Sequence, residues 1–168
     1  MKAKVSIIMG STSDLPVMEK AAKVLNDFKI PFEINALSAH RTPEEVEKFA
    51  KGAFDRGIKA IIAGAGMAAH LPGVIAAMTP IPVIGVPINA SLDGMDALLS
   101  IAQMPPGIPV ATVGINGAMN AGILAGQILA IGDSELQKNV IAFKESLKEK
   151  MVKANEELAS IKYEFKTN

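Results

Sequence analysis

The chain has 168 residues, 17 Lys plus Arg against 17 Asp plus Glu, and neither cysteine nor tryptophan. That length suits one domain with a real core. The balanced charge leaves no basic footprint for nucleic acid or an anionic membrane, and the lack of cysteine excludes disulfides, thiolate metal sites and cysteine nucleophiles. The apolar runs are broken by Pro, Gly or polar residues, so none reads as a membrane span. The opening Met1-Lys-Ala-Lys-Val5 leads straight into a short apolar run, with no sign of a signal peptide. A cytoplasmic protein is expected.

Residues 5–9 are apolar and rich in β-branched side chains, which reads as a buried strand. Gly10-Ser-Thr-Ser-Asp14 then turns into a helix over 15–28, with Ser13 or Asp14 as its cap. A second strand, 32–37, runs into Ser38-Ala-His-Arg-Thr-Pro43. There Thr42-Pro-Glu-Glu45 has the form of a capping box with Pro in the first helical position, opening a helix to about residue 56 that Gly57 ends. A third strand over 60–63 leads into a glycine-rich loop and a short helix over 71–78. A fourth strand spans 83–86 and a helix lies near 93–102. Gln103-Met-Pro-Pro-Gly107 turns into a fifth strand over 110–113. The Gly- and Ala-rich stretch 116–131 predicts a buried helix that lets backbones approach closely. A last helix, 134 to about 161, carries apolar residues from Leu136 to Ile161 at three- and four-residue spacing. It packs either on its own domain or on a neighbouring subunit. Strands alternating with helices predict one α/β domain over 1–168, a three-layer α/β/α sandwich on a five-stranded parallel sheet in the flavodoxin-like order 2-1-3-4-5.

In such a sheet, segments leaving the carboxyl ends of the strands converge on one edge, where ligands bind. The two histidines, His40 and His70, each follow a strand. Imidazole, with an unperturbed pKa of about 6.5, suits proton transfer near neutrality. Ser11, Ser13 and Asp14 stand between a strand and a helix N-terminus. They read either as turn and cap residues or as an anion cradle of backbone N–H and hydroxyl groups. Arg41 is one of two arginines and lies in the His40 loop, from which it reaches a phosphate held at Gly10–Asp14. Gly64-Ala-Gly-Met-Ala-Ala69 has the form G-x-G-x-x-A, but it follows the third strand and lacks an acidic residue about 20 positions on, which argues against a dinucleotide cofactor. Its glycines suit a loop whose amides approach a flat ligand, and His70 is either a ligand contact or the cap of the next helix. The histidines lack the i, i+4 spacing of a helical zinc pair, so no metal is expected.

Gly10-Ser-Thr-Ser-Asp14, Ser38-Ala-His-Arg-Thr-Pro43, Gly64-Ala-Gly-Met-Ala-Ala-His-Leu-Pro-Gly73, Pro82-Val-Ile-Gly-Val-Pro87 and the segment from Gln103 to Val113 together resemble one family. It is the bacterial class of the PurE family, the N5-carboxyaminoimidazole ribonucleotide mutases of purine biosynthesis, and the likeness runs from residue 5 to about 130. The resemblance implies a small-molecule ribonucleotide substrate and an isomerase that moves a carboxylate from the exocyclic nitrogen to ring carbon C4. It also implies a homo-octamer with sites shared between subunits, and no metal or organic cofactor. By motif position, Ser11, Ser13, Asp14 and Arg41 would hold the ribose phosphate and His40 would handle the proton. Gly64, Ala65, Gly66, Met67 and His70 would line the base and carboxyl pocket, with Ser38, Ala39 and Leu71 beside it. One departure is Met67, where the family pattern often carries Gly. The rival readings are an aminoimidazole ribonucleotide carboxylase using free carbon dioxide, and a flavodoxin-like nucleotide-binding module without catalysis.

Overall fold

The structure, a computed structural model, describes residues 2–168. Strand β1 (Val5–Met9) is buried along its whole length. It lies between β2 (Phe32–Ala36) and β3 (Ala60–Gly66), and β4 (Val83–Ile88) and β5 (Ala111–Thr112) follow outward from β3. All pairs are parallel and the order is β2-β1-β3-β4-β5, as the sequence predicts. Helices α1 (Leu15–Asp27), α5 (Ala118–Ala130) and α6 (Ser134–Ser160) cover one face, while α2 (Pro43–Arg56), α3 (Leu71–Met78) and α4 (Met95–Ala102) cover the other. Side chains alternate between the faces of a strand. Val5, Ile7 and Met9 accordingly enter the core under α1 and α5, and Ile8 enters the core under α2 and α3.

Several boundaries differ from expectation, each for a physical reason. The third strand does not stop at residue 63: Gly64, Ala65 and Gly66 pair with Val86, Pro87 and Ile88, so the first half of the glycine-rich loop is strand. Central strands covered on both faces are uniformly apolar, and small residues continue such a ladder as readily as large ones. Pro87 is tolerated in β4 because β5 pairs only with Ile84 and Gly85, leaving the far end of β4 as an edge. The Thr42 capping box does not form; its hydroxyl donates to the Ser38 carbonyl and accepts from the Ser38 N–H. Neither Ser13 nor Asp14 caps α1. A short 3₁₀ turn over Thr12–Asp14 precedes the helix, and Ser11 caps that turn.

Helix α6 divides in two. Asp133 caps it, accepting from the N–H groups of Glu135 and Leu136. Leu136 and Val140 are buried against the domain, and Phe143 meets Phe28 edge-on at 5.5 Å. Beyond that contact Met151 is 70% exposed and Leu158 59%. Only the first turns pack on the chain's own domain.

On the same face, α5 and α1 touch through glycine. A Cβ built on Gly122 would lie 3.0 Å from the Ala21 carbonyl oxygen and 3.1 Å from the Ala21 Cα. Those neighbours are backbone and cannot swing aside. Gly122→Val is expected to cost about 1–3 kcal/mol by forcing the two helices apart. Gly132→Ala, where a new Cβ meets nothing within 4 Å, should stay within about 0.5 kcal/mol of the parent. Urea unfolding of the two variants checks the difference.

Candidate active site

Met9, the last residue of β1, pairs with Ala36 on one side and Gly64 on the other. Three chain segments therefore leave the sheet beside one another at its carboxyl edge, and what each carries is set by its own local chemistry.

The segment after β1 is wired to itself. The Ser11 N–H donates to the Asp14 carboxylate at 3.2 Å, and the Ser11 hydroxyl accepts from the Ser13 N–H at 3.3 Å and from the Ser13 hydroxyl at 2.9 Å. This reciprocal pairing is a capping box. Burial pushes the Asp14 carboxyl above its ordinary value, while the Ser11 N–H, the Ser13 side chain and the Arg41 guanidinium pull it partly back.

The segment after β2 is held by Ser38. Its hydroxyl accepts from the Arg41 N–H at 3.2 Å, and its carbonyl accepts from the Thr42 N–H at 2.8 Å. Together with the Thr42 hydroxyl, these bonds close a loop that turns His40 and Arg41 toward β1. Arg41 Nη2 donates to the Gly10 carbonyl oxygen at 2.8 Å, which anchors the guanidinium beside the Ser11–Asp14 turn. Ala39, packed partly into the core below, keeps the loop down.

The segment after β3 makes two tight turns. The Ala69 N–H donates to the Met67 carbonyl at 2.8 Å and the His70 N–H to the Ala68 carbonyl at 2.7 Å. Met67 takes a left-handed backbone conformation, with φ of 57°. The turns deliver His70 to the start of α3, where its side chain makes no cap bond. Its Nδ1 instead lies 2.6 Å from His40 Nε2, with the rings perpendicular and their centroids 4.9 Å apart. At that distance one facing nitrogen holds a proton and the other presents its lone pair.

These groups surround one cavity of about 460 Å³, a size that suits a small-molecule ligand. Ser11, Ser13, Asp14, Ser38, Ala39, His40, Arg41, Ala65, Gly66, Met67, His70 and Leu71 all border it. Gly64 does not: a Cβ there would clash with Met18 Sδ, so its lack of side chain serves the packing of α1 under the sheet. Ala90, just past β4, joins the wall and was not singled out in the sequence. A small residue after the next strand's carboxyl end was the available signal. Among the described residues lining the cavity, Arg41 is the only Lys or Arg. Away from Arg41, Asp14 and the histidines the lining is small or uncharged, so the cavity can hold an anionic group at one end against an uncharged wall at the other.

Comparison with known proteins gives the family and the fold. The family model for AIR carboxylase matches residues 4–150. A Pyrococcus abyssi protein named N5-carboxyaminoimidazole ribonucleotide mutase is 61% identical over 146 residues, which cover 86% of this chain and 84% of that protein. A Candida glabrata phosphoribosylaminoimidazole carboxylase is 55% identical over 97% of this chain, which spans only 29% of that longer protein. The crystal structure of Treponema denticola PurE superposes with a TM-score of 0.80 at 34% identity, covering 92% of this chain and 97% of the other. The chain belongs to the AIR carboxylase family.

Proposed function

We propose that the chain is an N5-carboxyaminoimidazole ribonucleotide mutase, an isomerase of purine biosynthesis that moves the carboxylate from the exocyclic nitrogen of the ribonucleotide to ring carbon C4. The single observation that carries this reading is the clamp of Arg41 on the Gly10 carbonyl with His40 beside it, facing a pocket of small uncharged residues. The mutase name of the Pyrococcus abyssi relative supports it.

In this reading Arg41 and the hydroxyls of Ser11 and Ser13 hold the phosphate, and Asp14 accepts from a ribose hydroxyl. The nitrogen–carbon bond of the carbamate breaks, carbon dioxide is released into the pocket, and His40 gives a proton to the exocyclic nitrogen. Carbon C4 then attacks the carbon dioxide. The new carbon–carbon bond forms, and the C4 proton passes to His40, which restores its starting state. His70 shares the proton on the facing nitrogen and orients the His40 ring. Ala65, Gly66, Ala68 and Ala69 supply an uncharged wall of small residues that keeps carbon dioxide next to C4.

The same reading makes residues 1–168 one domain of a cytoplasmic homo-octamer, with helix 134–161 reaching a neighbouring subunit. The exposed apolar side chains Leu92, Met95 and Leu99, together with those in the outer part of α6, support assembly.

His40→Asn is expected to fold and to bind the ribonucleotide while turnover falls by about 10²–10⁴-fold, the usual worth of positioned acid–base catalysis. An ultraviolet assay for the C4-carboxylated product reads this directly. Unchanged turnover would remove His40 from the chemistry. The carboxylase reading draws on the name of the Candida glabrata relative. It requires rapid product from aminoimidazole ribonucleotide and bicarbonate with no carbamate supplied, whereas the mutase is expected to be far faster from the carbamate.

Asp14 gives a second test. Because burial raises its folded pKa above 3.8, the folded chain disfavours the ionised form. Its contribution to stability is therefore fully present below 3.8 and is lost as pH rises through the raised value. Asp14→Asn should melt no lower than the parent at neutral pH, with a relative gain that shrinks as pH falls toward 3.8. Its KM should rise about tenfold through loss of a charged hydrogen-bond acceptor. Thermal melts across pH and initial-rate kinetics check the two halves separately.

A further inference from the structure

Met67 breaks the pattern of the wall it belongs to. Around it Ala65, Gly66, Ala68, Ala69, Ala39 and Ala90 border the cavity with side chains no longer than a methyl group. Leu71 is the other large apolar group there, but it is 3% exposed and fixed in the core. Met67 is 60% exposed. Methionine is unbranched, with three rotatable bonds and a polarisable thioether, so it adapts to irregular apolar shapes. Its backbone adds a second anomaly, a φ of 57°, in a region that disfavours side chains and that glycine enters without cost. Among the described residues four other non-glycine residues, Lys29, Leu92, Asp93 and Asn116, share that conformation, but of the five only Met67 borders the cavity.

The chemistry proposed above has a matching need, and the inference rests on that reading. Free carbon dioxide is small, uncharged and a weak hydrogen-bond acceptor, so polar groups do not retain it. Only apolar walls and a shut exit do. We propose that Met67 is a specificity-determining residue whose side chain folds over the mouth of the cavity and retains the released carbon dioxide beside C4. Met67 thereby decides between two fates of one intermediate. Recapture forms the C4–carbon bond and gives up the C4 proton to His40. Escape leaves aminoimidazole ribonucleotide, with its exocyclic nitrogen protonated and the carbon lost to solvent as carbon dioxide.

The test follows where the carboxyl carbon goes. Full-length parent, Met67→Gly, Met67→Ala and Met67→Leu are given unlabelled carbamate substrate in buffer holding isotopically labelled bicarbonate and carbonic anhydrase. The carbamate's own decay without enzyme is subtracted. Mass spectrometry reads the label in the C4-carboxylated product, and chromatography reads free aminoimidazole ribonucleotide. Both the Gly and the Ala variant should raise labelled product and free aminoimidazole ribonucleotide relative to unlabelled product by roughly threefold or more, and Leu should restore most of the retention. Glycine suits the backbone at this position, so Met67→Gly should melt at or above Met67→Ala. That ordering separates the side chain's effect on partition from any loss of fold. Equal partition in the parent and both truncated variants overturns the inference and leaves the mutase reading intact. A change in assembly size on a sizing column with unchanged partition also overturns it, because Met67 is then a subunit contact. A parent enzyme that makes no C4-carboxylated product overturns both.

Discussion

Parallel pairing of Met9 with Ala36 and with Gly64 sets the height at which three connections leave the sheet. Side chains alternate along a strand, so a slip of one residue in β1 would exchange Ile7 and Ile8 between the two cores and bury the wrong groups on both sides. Register is therefore enforced by apolar packing well below the site. Gly64 belongs to that enforcement: with no side chain it admits Met18 of α1 against β3. The Arg41–Gly10 and His40–His70 contacts depend on this agreement between strands, since each joins segments that leave different ones.

Electrostatics at the cavity are sparing. A single guanidinium stands on the wall, anchored to a main-chain carbonyl rather than paired with a carboxylate at salt-bridge distance. Its remaining donors stay available to an anionic ligand, and arginine suits phosphate by its planar fork. Asp14 stands nearby as the opposing charge, in an environment that raises its proton affinity. The small-residue side of the cavity carries no full charge.

The fold was legible because its signals are periodic and redundant. Apolar runs marked β1, β3 and β4, alternation of Phe32, Ile34 and Ala36 with polar residues fits β2, and helical spacing marked the layers between them. Strand ends were less legible: Gly64-Ala-Gly66 has the composition of a loop, yet cross-strand pairing with Val86–Ile88 keeps it in the sheet. Caps were misread for a related reason. Thr42 and Asp14 have the right residue types for helix starts, but serines four and three residues upstream, Ser38 and Ser11, compete for the same hydroxyl and carboxylate. At the site, proximity of His40, Arg41 and the Gly10–Asp14 turn followed from strand order alone. The direct contact of His40 with His70, and the presence of Ala90 in the wall, depend on loop conformations that spacing does not encode.

The self-wired turn after β1 has a thermodynamic consequence. Ser11, Ser13 and Asp14 satisfy one another without any ligand, and the loop carrying Arg41 is closed by Ser38 and Thr42. Both segments are thus shaped by their own hydrogen bonds, so a ligand docking there exchanges existing polar partners instead of freezing floppy torsions. Preorganisation of this kind spares the entropy that a mobile loop would forfeit on docking, and leaves the interaction energy free to act where charge and bonds rearrange.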